Sequence, residues 1–344
     1  DKEALINLAT IYYQNNNINM SIKYYQKLLE INPEDLDIHN RIGNIYFEQG
    51  NLDSASSHYH IALQIEPEQV EVNINLGRFY QFREQWNMAI SHYHEALKVE
   101  PDNKKALLGL GEAYKGKTKY DKGYLGPTID TFKRVLSLDK NNVGALQNLA
   151  ELSQEEGNFQ RAIKLYKNIL ELDSKNISAH INMATIYEIQ GYTEDAFDER
   201  LAALELDPYN TRLLLSVASY SLEQEDFDSA LKYARRILET GASNLEASYI
   251  IAVVYVGRDK LLEAKKYLEK ILYNDRGNIM ANYNLGRFYE QQQDYKKAID
   301  YYNRVLHIDK SYTPAMSRLA FSYLQDGEIQ KSLELYEELV CQDP

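Results

Sequence analysis

Between Leu36 and Gln49, Ile42, Gly43, Ile45 and Tyr46 recur at the spacing of one helix face. Gly50-Asn51 ends that pattern. A second run places Ala55, Tyr59, Ala62 and Leu63 on one face as far as Glu66-Pro67. Proline disfavours helical backbone before it and has no N–H to continue the ladder. The stretch predicts helix, turn, helix, turn. The same pattern recurs along the chain. Gly43, Gly77 and Gly111 fall 34 residues apart, and Asn75-Leu76-Gly77-Arg78-Phe79-Tyr80 returns letter for letter as Asn284-Leu285-Gly286-Arg287-Phe288-Tyr289. A fixed period in this range signals a stacked array of one small supersecondary unit.

With Leu36 as position 1, units begin at residues 2, 36, 70, 104, 143, 177, 211, 245, 279 and 313. Position 8 is glycine or alanine throughout, from Ala9 to Ala320, and position 20 is alanine, serine or threonine, from Ser21 to Ser332. Two helices of a hairpin approach closely only where side chains are short, so these positions are the expected contact points. Position 11 is tyrosine in eight units and position 24 in six, which accounts for much of the total of 29 tyrosines. The rings are expected to fill the space beside the small residues, with hydroxyls reaching the surface.

A small residue, tyrosine three later, a small residue nine further on, an aromatic four beyond that, and a closing proline make a joint pattern. Leu76-Gly77, Tyr80, Ala89, Tyr93, Ala96 and Pro101 carry it in one unit. It resembles the tetratricopeptide repeat. That resemblance implies an all-α fold: an α-solenoid of ten stacked antiparallel helix hairpins, wound as one right-handed superhelix over residues 1–344. Departures are local. The family's large aromatic at position 4 is replaced by residues such as His39, Asn73 and His180, and the closing proline by Lys140, Ser174, Ala242, Arg276 and Lys310. Unit four carries five extra residues between its helices, and 115–127 is expected to be a loop, basic through Lys115, Lys117, Lys119 and Lys122.

Charge and composition narrow the function. A net charge of −13 and a pI near 5.1 disfavour binding to a phosphate backbone. No apolar run approaches the length of a membrane span. The single cysteine, Cys341, permits no internal disulfide, and a cytoplasmic setting fits. A start at Asp1 without methionine, and ends at repeat edges without a polar capping helix, point to a longer parent protein or to end-to-end self-association.

Catalytic signals are weak. Gly111 to Thr118 matches the phosphate-loop spacing, but it falls on a predicted helix whose amides are already bonded. In His58-x-His60 and His92-x-His94, residues two apart diverge on a helix, so neither pair chelates; His58 and His92 are candidate neighbours across the stack. Cys341 lacks a base partner. No cofactor, metal or catalytic residue is expected.

The resemblance also implies a binding wall, formed by the first helix of each unit through positions 2, 5, 6, 9, 12 and 13. Position 6 supplies Asn7, Asn75, Asn148, Asn182 and Asn284, whose amides can pair with any peptide backbone. A similar asparagine ladder binds extended peptides in the repeat arm of O-linked N-acetylglucosamine transferases. Here Arg41, Gly109, Ser216, Ile250 and Arg318 interrupt it. Asn44, Arg78, Arg287 and Arg318 lie beside it, the arginines suited to carboxylates. Leu215, Tyr249, Ile250 and Val253 form an expected apolar stretch for a partner helix or strand. The carboxylate clamp of co-chaperone repeats would match at Asn44, Asn75 and Lys105, but Asn40 and Gly109 stand where it needs cations. The reading is a non-enzymatic scaffold for protein or peptide partners. The alternatives are the recognition arm of a larger enzyme, such as a glycosyltransferase, and a self-assembling array.

Overall fold

The computed structural model describes residues 2–239, 241 and 244–342, without the side chains of Cys341 and Gln342. Asp1, Ala242, Pro344 and the Cys341 thiol lie outside the described residues.

Twenty α-helices and one 3₁₀ turn, with no strand, make up the described chain. The first helices of the successive pairs are α1 (Lys2–Gln14), α3 (Leu36–Glu48), α5 (Val70–Phe82), α7 (Lys104–Thr118), α9 (Val143–Glu155), α11 (Ile177–Ile189), α13 (Thr211–Glu223), α15 (Leu245–Gly257), α17 (Ile279–Gln291) and α19 (Thr313–Gln325). Their partners are α2 (Ile18–Ile31), α4 (Leu52–Ile65), α6 (Trp86–Val99), α8 (Leu125–Leu138), α10 (Phe159–Leu172), α12 (Thr193–Leu206), α14 (Phe227–Glu239), α16 (Leu261–Asn274), α18 (Tyr295–Ile308) and α20 (Ile329–Gln342). Contacts gather into two compact units, residues 1–174 and 175–344. Within each, a first helix packs on its partner, and that partner on the next first helix.

Helix starts are fixed by side-chain caps. Asp35, Asn103, Asn142, Asn176, Asn210, Asn244 and Asn278 each accept a hydrogen bond from a backbone N–H in the first turn of their helix. The turn inside most hairpins holds one left-handed residue, glycine at Gly50, Gly157, Gly191 and Gly327 but Asn16, Glu84, Glu225, Asp259 and Gln293 elsewhere.

Hairpins close over small residues. A Cβ added to Gly43, Gly77, Gly111 or Gly286 would meet the ring of Tyr59, Tyr93, Phe132 or Tyr302 at 2.7, 2.6, 2.6 and 2.5 Å. These rings are at most 1% exposed. Beside them a second ladder appears: position 11 stacks on position 23. Tyr12–Tyr24, Tyr80–His92 and Tyr289–Tyr301 lie 5.3–5.5 Å apart between centroids and within 8° of parallel. Tyr46–His58 is a looser version at 5.8 Å and 27°.

The expected loop over 115–127 is shorter than that: only 119–124 connects the two helices, and both ends of the stretch are α-helical. Lys115–Thr118 close α7, which at 15 residues is two longer than the 13 of the other first helices, a 3₁₀ turn follows at Lys122–Tyr124, and Leu125–Pro127 begin α8. Gly116 is helical because the Trp86 ring occupies its missing Cβ, 2.5 Å away. Pro127 sits in a first turn, where its lost N–H has no partner to forfeit.

Candidate functional site

The faces of the first helices carry the expected binding positions, and each half is described by itself. In residues 1–174, buried tyrosines push their hydroxyls toward α3, α5 and α7. Tyr59 donates to Asn44 Oδ1 at 2.7 Å, and Tyr93 donates to Gln81. Burial raises both phenols, so they remain protonated donors. Asn75, 5% exposed, donates to Asn40 Oδ1 at 2.8 Å across the α3–α5 seam. Asn148 gives one N–H to the Gly144 carbonyl at 2.9 Å and accepts from Lys115 Nζ at 3.0 Å. Lys115 also pairs with Glu151. Gly109 interrupts the asparagine series because the Tyr93 ring fills the place of its Cβ. Arg78 is exposed and lies over the Phe47 ring at 6.0 Å. Desolvation holds the neighbouring Glu112 carboxyl above the usual range, against pulls from Gln81, Lys115 and Arg78. Asn7 and Arg41 are exposed and make no side-chain hydrogen bond or ion pair among the described residues.

In residues 175–344, Asn284 is 4% exposed, donates to the Met280 carbonyl at 2.9 Å and accepts from Arg287 at 3.2 Å. Arg287 bridges to Asp259 at 2.7 Å, and Arg318 to Glu290 at 2.8 Å and the Tyr283 hydroxyl at 3.2 Å. Ile250, expected on the apolar wall, is 4% exposed and part of the core. Leu215 is half-buried and packs on that core, Val253 is half-buried, and Tyr249 is 41% exposed. Asn182 is half-buried with no side-chain hydrogen bond among the described residues.

The asparagine series therefore splits. Asn75, Asn148 and Asn284 serve the protein's own contacts, while Asn7 and Asn182 keep free amides. Position 6 falls on the seam between neighbouring first helices, so burial there follows how closely the neighbour approaches. Sequence reading placed Lys115 in a loop, although its register position, 12, belongs to the wall. Lys117 reaches back to Asn87 on α6 and to the Tyr124 hydroxyl of its own unit at 2.8 Å, while Lys115 reaches forward to α9, so these two lysines tie unit four to the units on both sides. Lys119 and Lys122 stay exposed.

His58 and His92, candidate neighbours across the stack, each bond within their own hairpin instead. His39 Nε2 lies 2.9 Å from the Pro33 carbonyl, which makes Nε2 the protonated nitrogen. Its Nδ1 accepts from His58 Nδ1 at 3.0 Å. His92 donates to Asn73 Oδ1 at 3.0 Å, and Asn73 donates to the Pro67 carbonyl at 3.1 Å. Asn282 repeats that link to the Arg276 carbonyl at 3.0 Å. A polar residue at position 4 thus ties the preceding inter-unit loop to the hairpin. No cluster among the described residues could hold a metal, and none of the described helices is long and apolar enough to cross a membrane. The phosphate-loop match lies wholly inside α7, where Gly111 and Gly116 make room for Phe132 and Trp86.

Family models described as TPR repeat match residues 9–49 and 43–81. Models described as tetratricopeptide repeat match 74–105 and 145–176, 218–279, and 279–312. The comparison with curated proteins returns no match. Among solved structures the chain is similar to PilW, a widely conserved type IV pilus biogenesis factor, with 20% identity and a TM-score of 0.55 over 62% of this chain and 96% of that one. It is also similar to a tetratricopeptide repeat protein from Parabacteroides merdae, with 16% identity and a TM-score of 0.53 over 74% and 98%. At these identities the likeness is one of fold. Repeat register, paired helices and family models agree: the chain belongs to the tetratricopeptide repeat family.

Proposed function

We propose that the chain is a non-enzymatic interaction scaffold, holding extended or helical segments of partner proteins along its first helices and organising a larger assembly. The reading is carried by recognition groups left unspent there. Asn7, Arg41 and Asn182 keep their hydrogen-bonding capacity among the described residues, and Tyr249 presents an exposed ring. Arg287, Arg318 and Lys115 are held by Asp259, Glu290 and Glu151. Fixed charges of this kind shape a surface without a reorganisation cost on binding.

The test is site-specific photocrosslinking. Benzoylphenylalanine replaces Arg78 or Tyr249 on first helices, and Lys167 or Asp198 on second helices, all exposed residues. Crosslinks to the same partner proteins from 78 and 249, and none from 167 and 198, are expected. Equal labelling from all four, or labelling from the second helices alone, would remove the site from the first-helix faces.

A further inference from the structure

A second site lies on the other helices. Between α16 and α18 the surface opens into a groove of about 940 Å³ lined by Leu272, Tyr273, Arg276, Tyr301, Arg304 and Ile308. Tyr273 is 87% exposed and Ile308 47%, so the lining presents apolar surface to solvent.

The groove exists because the chain departs from its own repeat here. Arginine stands at position 26 in three units. Arg134 donates to the Pro101 carbonyl at 2.8 Å and to Asp102 at 3.0 Å, in the loop before its unit. Arg236 lies over the ring of Tyr209, the residue in register with Asp102, at 4.9 Å. At Arg304 the register residue is Gly277, which has no side chain to offer, and the closing proline before it is replaced by a second cation, Arg276. Arg304 retains only the Tyr301 ring, at 4.9 Å. Neither guanidinium has an ion pair or side-chain hydrogen bond among the described residues. The groove's one acid, Glu269, faces Lys265 at 3.7 Å, and Asp275 accepts from the Gly277 N–H at 2.9 Å. His307 also lines the groove.

Two uncompensated arginines over an apolar floor, on a chain of net charge −13, are a local inversion of the protein's field. We infer that this groove docks an acidic segment of a partner protein, with a carboxylate bridging Arg276 and Arg304 and a neighbouring apolar side chain resting on Leu272 and Ile308. Guanidinium forks suit carboxylates, and the apolar floor favours a peptide over a bare anion. The site goes beyond the first-helix surfaces and stands without them.

The probe is a short fluorescein-labelled peptide of alternating glutamate and leucine, followed by anisotropy. Controls alternate glutamate with serine, or lysine with leucine. The glutamate–leucine peptide is expected to bind, and Arg276→Ala with Arg304→Ala to weaken it by about tenfold or more. Gly277→Asp, which restores the acid found at Asp102 and has room for a Cβ, is expected to weaken it similarly with melting unchanged. Asn182→Ala with Tyr249→Ala should leave it unaffected. Unchanged affinity in both groove variants would overturn the assignment. So would equal binding of either control, or full displacement by inorganic tripolyphosphate, which would make it a simple anion site.

Discussion

A methyl group added to Gly77 would sit 2.6 Å from the Tyr93 ring, which is fully buried and cannot withdraw. Gly77→Ala is therefore expected to destabilise by about 1–3 kcal/mol in a thermal melt, although alanine is the better helix former. Asn282 makes a different point. Its Oδ1 is buried without a partner, whereas its counterpart Asn73 accepts from His92. Position 23 in unit nine is Tyr301, stacked on Tyr289 as His92 is on Tyr80. Tyr301→His keeps the stack and supplies the missing donor, so a rise of about 1 kcal/mol is expected by denaturant titration. Protonation acts on the same ladder. His58 is lowered by burial and by His39, and His92 by burial and by His60, with Glu95 opposing. A folded pKa below the unfolded one, about 6.5, means these histidines contribute fully above that pH and lose the contribution as pH falls through it. Melting temperature is expected to drop between about pH 7 and pH 5, and His58→Gln with His92→Gln to flatten that drop.

At the scale of the element, the hairpin turn and the insertion differ in how legible they were. Gly50-Asn51 announced one turn, but Glu84, Glu225 and Gln293 adopt the same left-handed backbone with no such signal. A left-handed residue other than glycine costs about 1–2 kcal/mol, partly offset by glycine's larger entropy loss. Glu225→Gly should raise the midpoint of denaturant unfolding slightly, and Gly191→Ala should lower it. Helix pairs and repeat register were readable because the small residues recur in every unit and the rings in most of them, at one period. The helical ends of 115–127 were misread because Gly116, Gly126 and Pro127 look like breakers. Trp86 packing on Gly116, and the placement of Pro127 in a first turn, are long-range facts that local composition does not carry. Lys115→Met, which severs the links to Asn148 and Glu151, is expected to cost about 1 kcal/mol, and Lys119→Met nothing measurable.

At the scale of the whole molecule, the repeat gives two kinds of surface, and the binding residues were the harder part to read. Position 6 looked like one series, yet Asn75 and Asn284 are spent on internal bonds while Asn7 and Asn182 are open. Ile250 looked like part of an apolar wall and is core. Each outcome is decided by how closely the neighbouring helix approaches, which spacing alone does not state. The most direct test of partner binding by the first helices is an affinity measurement. Peptides are selected from a displayed random library on the wild-type protein, and anisotropy compares the best binder on wild type and on Arg41→Ala, Asn182→Ala, Tyr249→Ala. A loss of about tenfold or more in the triple variant, with helicity and melting unchanged, is predicted. The same affinity on wild type and variant would contradict it.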